Sequence, residues 1–281
     1  MFDTTAASSA TPVSNAALYD SGGDKPVLLL LHGIGGTWSI WAPVIARLEA
    51  RFRIIAPTLP GHHGGPAYAG QGPATVAGLA EQLIAMLQAR GITTAHVAGN
   101  SLGGWLSMEL ARRGFARSVV ALSPAGGWST PADYQAIARE FRIVHALLPI
   151  LLVLTWFFIG IAACRRALGR KTMEHAERMT APDFRASLQA MRKTVVLPQL
   201  LDTMGRDGPI KPFTPVMPVI IAWGGADQVI PFQRYGRPYL ERIAGARSTT
   251  LAGVGHVPMY DDPDAVAATI IEGCREAPAA S

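Results

Sequence analysis

The chain is short of cysteine, of charge and of aromatic side chains. Its two cysteines, Cys164 and Cys274, stand far apart in 281 residues. Without the C-x-x-C spacing of zinc or redox chemistry they read as packed thiols. Charged residues make up 16% of the chain and leave a net charge of +5. So mild an excess, not interleaved with aromatics, excludes a nucleic-acid surface. The first residues carry no Lys, no Arg and no apolar run, so they do not resemble a secretory signal, and a cytoplasmic protein is expected. There is no internal repeat.

What is abundant is apolar surface, at 49% of residues, together with 29 glycines. That length and composition suit one large α/β domain with an insertion. Strands are expected at 26–31, 53–57, 93–98, 117–122, 218–223 and 247–251. Several are continuous apolar runs, such as Val27-Leu28-Leu29-Leu30-Leu31, as strands buried on both faces of a parallel sheet must be. Helices are expected between them at 40–50, 76–90, 102–113, 231–243 and 263–274, a doubly wound order. Residues 126–213 break the alternation and read as helices only, cut by Pro131, Pro149, Gly160, Gly169 and Pro182. Residues 1–16 and the last few, rich in small residues, read as loose ends.

Gly99-Asn100-Ser101-Leu102-Gly103-Gly104 lies between a strand and a helix. A serine at such a sharp turn needs glycines on either side, because side chains there would collide as strand and helix approach. Ser101 is therefore a candidate nucleophile, and the Leu102 amide, at a helix start, can face a developing oxyanion. A serine hydroxyl needs a base, and the base needs a carboxylate. His256, in Gly253-Val254-Gly255-His256, follows the last expected strand, and Asp227, in Gly224-Gly225-Ala226-Asp227, follows the one before. Both loops fall at the carboxyl edge where open parallel sheets place their sites. Asp133 is a weaker acid candidate, and Asp261, Asp262 and Asp264 read as caps of the last helix. His32 reads as an organiser of its turn, and His62, His63, His96, His145 and His175 as structural. The loop His32-Gly33-Ile34-Gly35-Gly36 offers a second oxyanion donor, the Ile34 amide, with Gly35 as the alternative. It lacks the residues of a phosphate-binding loop.

Taken together, the 32–36 loop with Trp41 beyond it, Leu59-Pro60-Gly61-His62, the Ser101 turn, Asp227 and Gly255-His256 resemble the α/β-hydrolase superfamily, in its serine-nucleophile esterase and lipase branch with a helical cap. The resemblance implies a mostly parallel eight-stranded sheet with helices on both faces, a core over 17–125 and 214–276, and a cap over 126–213. It also implies that Ser101, Asp227 and His256 act as nucleophile, acid and base, with no metal and no organic cofactor. Two departures stand out: little chain precedes Pro26 to form the usual first strands, and Thr58 stands where many relatives carry aspartate. Relatives that open epoxides or remove halide use aspartate at the turn, so Ser101 points to acyl transfer to water.

Between Arg142 and Arg165 no residue is acidic or basic apart from His145, while residues 139–193 hold ten Lys or Arg and four Asp or Glu. The length would span a membrane, but a crossing would separate Ser101 from Asp227 and His256. A buried helix, a lid or a helix lying in a membrane surface remain. The expected substrate is a small lipophilic ester, an acylglycerol or medium-chain ester. Contacts to it are expected at Gly33, Gly35, Trp38, Trp156, Phe157, Val229 and Val257. The expected partners are that substrate and, through the cap, a peripheral contact at the inner face of the membrane. The alternatives are carbon-carbon bond hydrolysis, cofactor-free haloperoxidase or perhydrolase chemistry, and a non-catalytic ligand-binding or membrane-associated protein of the same fold.

Overall fold

The structure, a computed structural model, describes residues 13–14 and 16–277. Its sheet has eight strands in the order β1-β2-β4-β3-β5-β6-β7-β8. They are β1 (Val13–Ser14), β2 (Leu18–Asp20), β3 (Val27–Leu31), β4 (Arg53–Pro57), β5 (Ala95–Asn100), β6 (Ala116–Leu122), β7 (Val219–Gly224) and β8 (Arg247–Leu251). Strands β3 to β8 are parallel; β1 and β2 pair antiparallel at one edge. The missing first strands are thus present in very short form, β1 being two residues that the sequence reading assigned to a loose end. The rest of that expected loose end, residues 1–12 and Asn15, lies outside the described residues.

The continuous apolar runs are explained by the pleat. Leu29 and Leu31 enter one buried cluster with α2 (Val76–Gln88) and α3 (Leu102–Arg112). Leu28 and Leu30 enter the opposite cluster, with α1 (Ala42–Leu48) and α10 (Pro263–Arg275). Alternate side chains on both faces are therefore removed from water, each contributing about 1.5–3 kcal/mol. The remaining elements of the core are the short helices α8 (Arg237–Arg242) and α9 (Pro258–Asp261). Residues 232–236 form a wide turn ahead of α8, where the sequence suggested one continuous helix.

Between β6 and β7 the described residues form no strand beyond an isolated bridge from Phe213 to Ile243, and the main elements are α4 (Pro131–Phe158), α5 (Ala162–Gly169), α6 (Ala181–Lys193) and α7 (Leu197–Asp207). Helix α4 starts in a reciprocal cap, in which the Thr130 hydroxyl accepts from the Asp133 amide and the Asp133 carboxylate accepts from the Thr130 amide. Asp133 also pairs with Arg234 at 2.7 Å; it is structural, not an alternative acid. The inner face of α4 runs through Tyr134, Ala138, Leu148 and Thr155, which fall within an arc of about 100° on the helix. Helices α6 and α7 pack against it. Both cysteines are free, and burial pushes the Cys274 thiol up to about 12.

Candidate active site

Ser101 closes β5 and precedes α3 with φ +55° and ψ −115°. That is a costly conformation for a residue with a Cβ, held only because its surroundings leave no alternative. The surroundings are tight. A Cβ on Gly99 would lie 2.1 Å from the Gly103 carbonyl oxygen, and one on Gly103 would lie 2.1 Å from that of Leu31. The strand-turn-helix context inferred from the sequence is thus required by backbone contact. The Leu102 amide sits in the first turn of α3, where helix geometry supplies no acceptor.

Asp227, in the loop after β7, and His256, in the loop after β8, are both buried. His256 Nδ1 lies 2.8 Å from Asp227 Oδ2. The other carboxylate oxygen, Oδ1, accepts from the Val229 and Ile230 amides, each at 2.9 Å. The carboxylate is therefore fixed at both ends, and the imidazole is oriented by one of them. Asn100, the residue before Ser101, ties the loops together: its side-chain amide donates to the His256 carbonyl at 2.8 Å and to the Leu122 carbonyl at 3.1 Å. No sequence motif singled it out, although a buried asparagine ending an apolar strand always needs partners.

Gly33 to Gly36 form a tight turn closed by the Gly36 amide on the Gly33 carbonyl at 3.1 Å, with Gly35 at φ +76°. Glycine is the natural occupant of that position in a type II turn. The turn is anchored by His32, as expected. The Leu59 amide donates to His32 Nε2 at 2.9 Å, so the proton sits on Nδ1, which donates to the Gly33 carbonyl at 2.7 Å. Burial, reinforced by neighbouring His62, holds the His32 pKa well below the usual imidazole range. His62 itself is lowered to about 4 by burial. Neither ring serves as a base in this arrangement.

A small cleft lies over Ser101, Leu102 and Ile34. Tyr134, Ile137 and Phe141 of α4 line it, as do Leu201 and Met204 of α7, so its walls are apolar. Of the expected substrate contacts, Val229 lines it. Gly33 backs the site: a Cβ there would lie 3.3 Å from Ser101 Cβ. Gly35 is the seat of the cap, with Met191 of α6 filling the space a side chain would need. The other four expected contacts do not line this cleft. Trp38 packs toward the α1 and α10 side of the sheet and stacks on Tyr19 at 5.2 Å. Val257 packs on that side too, its amide donating to the Thr172 carbonyl. Trp156 and Phe157 lie beyond the cleft on α4, 72% and 70% exposed. They lie at the far end of α4, beyond the cleft-lining stretch that carries Tyr134, Ile137 and Phe141.

Sequence reasoning also misassigned Asp261. The cap of α10 is Asp262, which accepts from the Ala265 amide. Asp261 is buried, and its carboxylate accepts from the Gly255 amide at 2.7 Å, the Glu174 amide at 2.9 Å and the His175 amide at 2.7 Å. It holds the segment before His256 against the cap.

A model of the alpha/beta hydrolase family matches residues 28–269. The chain belongs to that family. It is similar to an epoxide hydrolase of Mycobacterium tuberculosis, EphH, at 33% identity over 217 residues, covering 70% of this chain and 94% of the relative. The fold is similar to that of naproxen esterase from Bacillus subtilis, with a TM-score of 0.69 at 20% identity over 91% of this chain and 86% of the other. It is also similar to 2-hydroxy-6-oxo-6-phenylhexa-2,4-dienoate hydrolase from Rhodococcus, with a TM-score of 0.71 at 19% identity over 95% and 96%. The protein is a hydrolase of the α/β family. No group of three or more His, Cys, Asp or Glu with the placement of a metal site occurs among the described residues.

Proposed function

We propose that this hydrolase cleaves lipophilic carboxylic esters through an acyl-enzyme on Ser101. The observation that carries the reading is the oriented His256–Asp227 pair, 2.8 Å apart, on the same sheet edge as a serine whose cleft is walled by apolar side chains. Ser101 Oγ attacks the ester carbonyl while His256 Nε2 takes its proton, and Asp227 stabilises the imidazolium through Nδ1. The Leu102 and Ile34 amides donate to the tetrahedral oxyanion. His256 then protonates the departing alkoxide, and water, deprotonated by the same imidazole, releases the acid. The apolar cleft binds the acyl chain, which gains stability by leaving water.

The epoxide-hydrolase relative raises a different substrate. Epoxide opening by relatives of this fold uses a carboxylate nucleophile, and Ser101 supplies a hydroxyl. The ester reading predicts no turnover of styrene oxide.

The test is hydrolysis of a p-nitrophenyl ester series of increasing chain length by the wild type and Ser101→Ala, with fluorophosphonate labelling of both. The variant is expected to lose kcat by a factor on the order of 10⁴–10⁶ and to escape labelling. Equal rates in the two proteins would overturn the mechanism. A preference for short polar esters would overturn the lipophilic assignment.

A further inference from the structure

Helix α4 carries two faces that differ in what covers them. In its second half the inner residues Leu148 and Thr155, and Ile159 just past its end, are buried. Ile143, Leu147, Ile150, Leu154 and Phe157 follow one another at spacings of four and three, and each is between 47% and 70% exposed. Val153, Trp156 and Phe158 widen that stripe at 63%, 72% and 52%. The helix is long and apolar enough to cross a membrane, with mean hydropathy 2.0 over its most apolar stretch and 11% of that stretch buried. A contiguous patch of this size on a protein surface marks an interaction site.

We propose that this face docks, lying flat, on an anionic lipid bilayer. Three observations select that occupant. The first is charge. Arg139 and Arg142 precede the stripe, Arg165, Arg166, Arg170 and Lys171 follow it, and no acidic residue lies between Arg142 and Arg165. Arg142, Arg166 and Lys171 are also within ion-pair reach of Asp202, Glu177 and Glu140, in exposed pairs of small energy. The Arg185 guanidinium stands 4.7 Å over the Trp156 ring and donates to the Leu152 carbonyl at 3.1 Å. Cations around an apolar stripe match anionic headgroups over acyl chains. A second copy of the chain on a two-fold axis would set the same cations against each other. The second is anchorage. The first half of α4 lines the cleft over Ser101 and its inner face packs on α6 and α7, so the helix cannot cross the bilayer without leaving the site. The third is reach. Residues 143–158 run about 24 Å, long enough for a sustained contact in the headgroup layer while the cleft end of the same helix stays in the protein.

This inference does not depend on which bond the site breaks, and its test is kept separate. The full chain is co-sedimented with vesicles of phosphatidylcholine alone and of phosphatidylcholine with phosphatidylglycerol, at low and high salt. The wild type is expected to bind the anionic vesicles at least about tenfold more tightly and to weaken with salt. Ile150→Glu with Val153→Glu is expected to abolish binding while keeping the melting temperature and the turnover of p-nitrophenyl butyrate. Arg166→Glu with Arg170→Glu is expected to reduce the preference for anionic vesicles. The proposal is overturned if the wild type binds no vesicles, or if the Ile150/Val153 variant binds as the wild type does. It is overturned equally if light scattering finds a wild-type dimer that the same two substitutions dissolve, since the stripe then belongs to a second copy. Vesicle binding without ester turnover would leave the docking intact and remove the ester reading.

Discussion

The inner and outer faces of α4 are built from the same kinds of side chain and have opposite environments. Leu147 and Leu148 are neighbours in sequence; the first is 47% exposed and the second is fully buried. Leu148 is on the buried side of α4, the helix that packs against α6 and α7, whereas Leu147 is left half exposed. Hydrophobicity supplies the tendency to leave water, but a partner surface decides whether a given residue can do so. Over β3 both faces find partners, and every residue from Leu28 to Leu31 is buried. Over the second half of α4 one face does.

The comparison can be broken most directly at the leucine pair. Leu148→Ala should cost about 2–5 kcal/mol, the cost of a core cavity, while Leu147→Ala should stay within about 0.5 kcal/mol. Urea unfolding of the two variants measures both, and equal losses would mean that the outer face is covered in solution. Next in size is Asp261→Asn. Its carboxylate accepts from three amides that bridge core and cap, and an amide side chain cannot serve all of them. A loss of about 2–3 kcal/mol is expected, with kcat reduced more than KM is raised, because the segment held is the one leading to His256. A variant as stable and active as the wild type would show that the cap is held elsewhere.

A smaller effect should appear on acidification. His62 is buried and its folded pKa is lowered from 6.5 to about 4. Between those values the unfolded chain binds a proton that the folded chain does not, so stability falls as pH falls through that window. From pH 6.5 to 5.5 the loss attributable to His62 is about 1 kcal/mol. Urea midpoints measured across this range should decline, and less steeply in His62→Gln. A flat profile would mean that His62 is accessible to water. No comparable slope should come from substitutions on the outer face of α4.

The sheet was legible because its strands obey one local rule. A run such as Val219-Ile220-Ile221-Ala222 can be stable only where both faces are covered, and the glycines around Ser101 mark a turn that admits no side chain. Strand and helix order then placed Asp227 and His256 at one edge. Asp261 was not legible, because its partners Glu174 and His175 lie more than eighty residues away and belong to the cap. Trp38, Trp156, Phe157 and Val257 stand away from the cleft for a related reason. Apolar side chains near a site in sequence were assigned to it, but direction along a 3-10 turn or a helix depends on packing that spacing alone does not reveal. The cleft walls from α4 and α7 escaped notice because an amphipathic helix does not announce which neighbour it faces.

Asp261 and the Val257 amide, which donates to the Thr172 carbonyl at 2.8 Å, have a consequence for transplantation. The histidine loop is fastened on one side to a strand of the sheet and on the other to residues 172–175, so cap and core are not interchangeable modules. A chimera that borrows the cap of another hydrolase must bring a segment able to offer the same two amides to Asp261 and the same carbonyl to Val257. Grafts cut at the helix boundaries alone would exchange the cleft and lose the footing of the histidine.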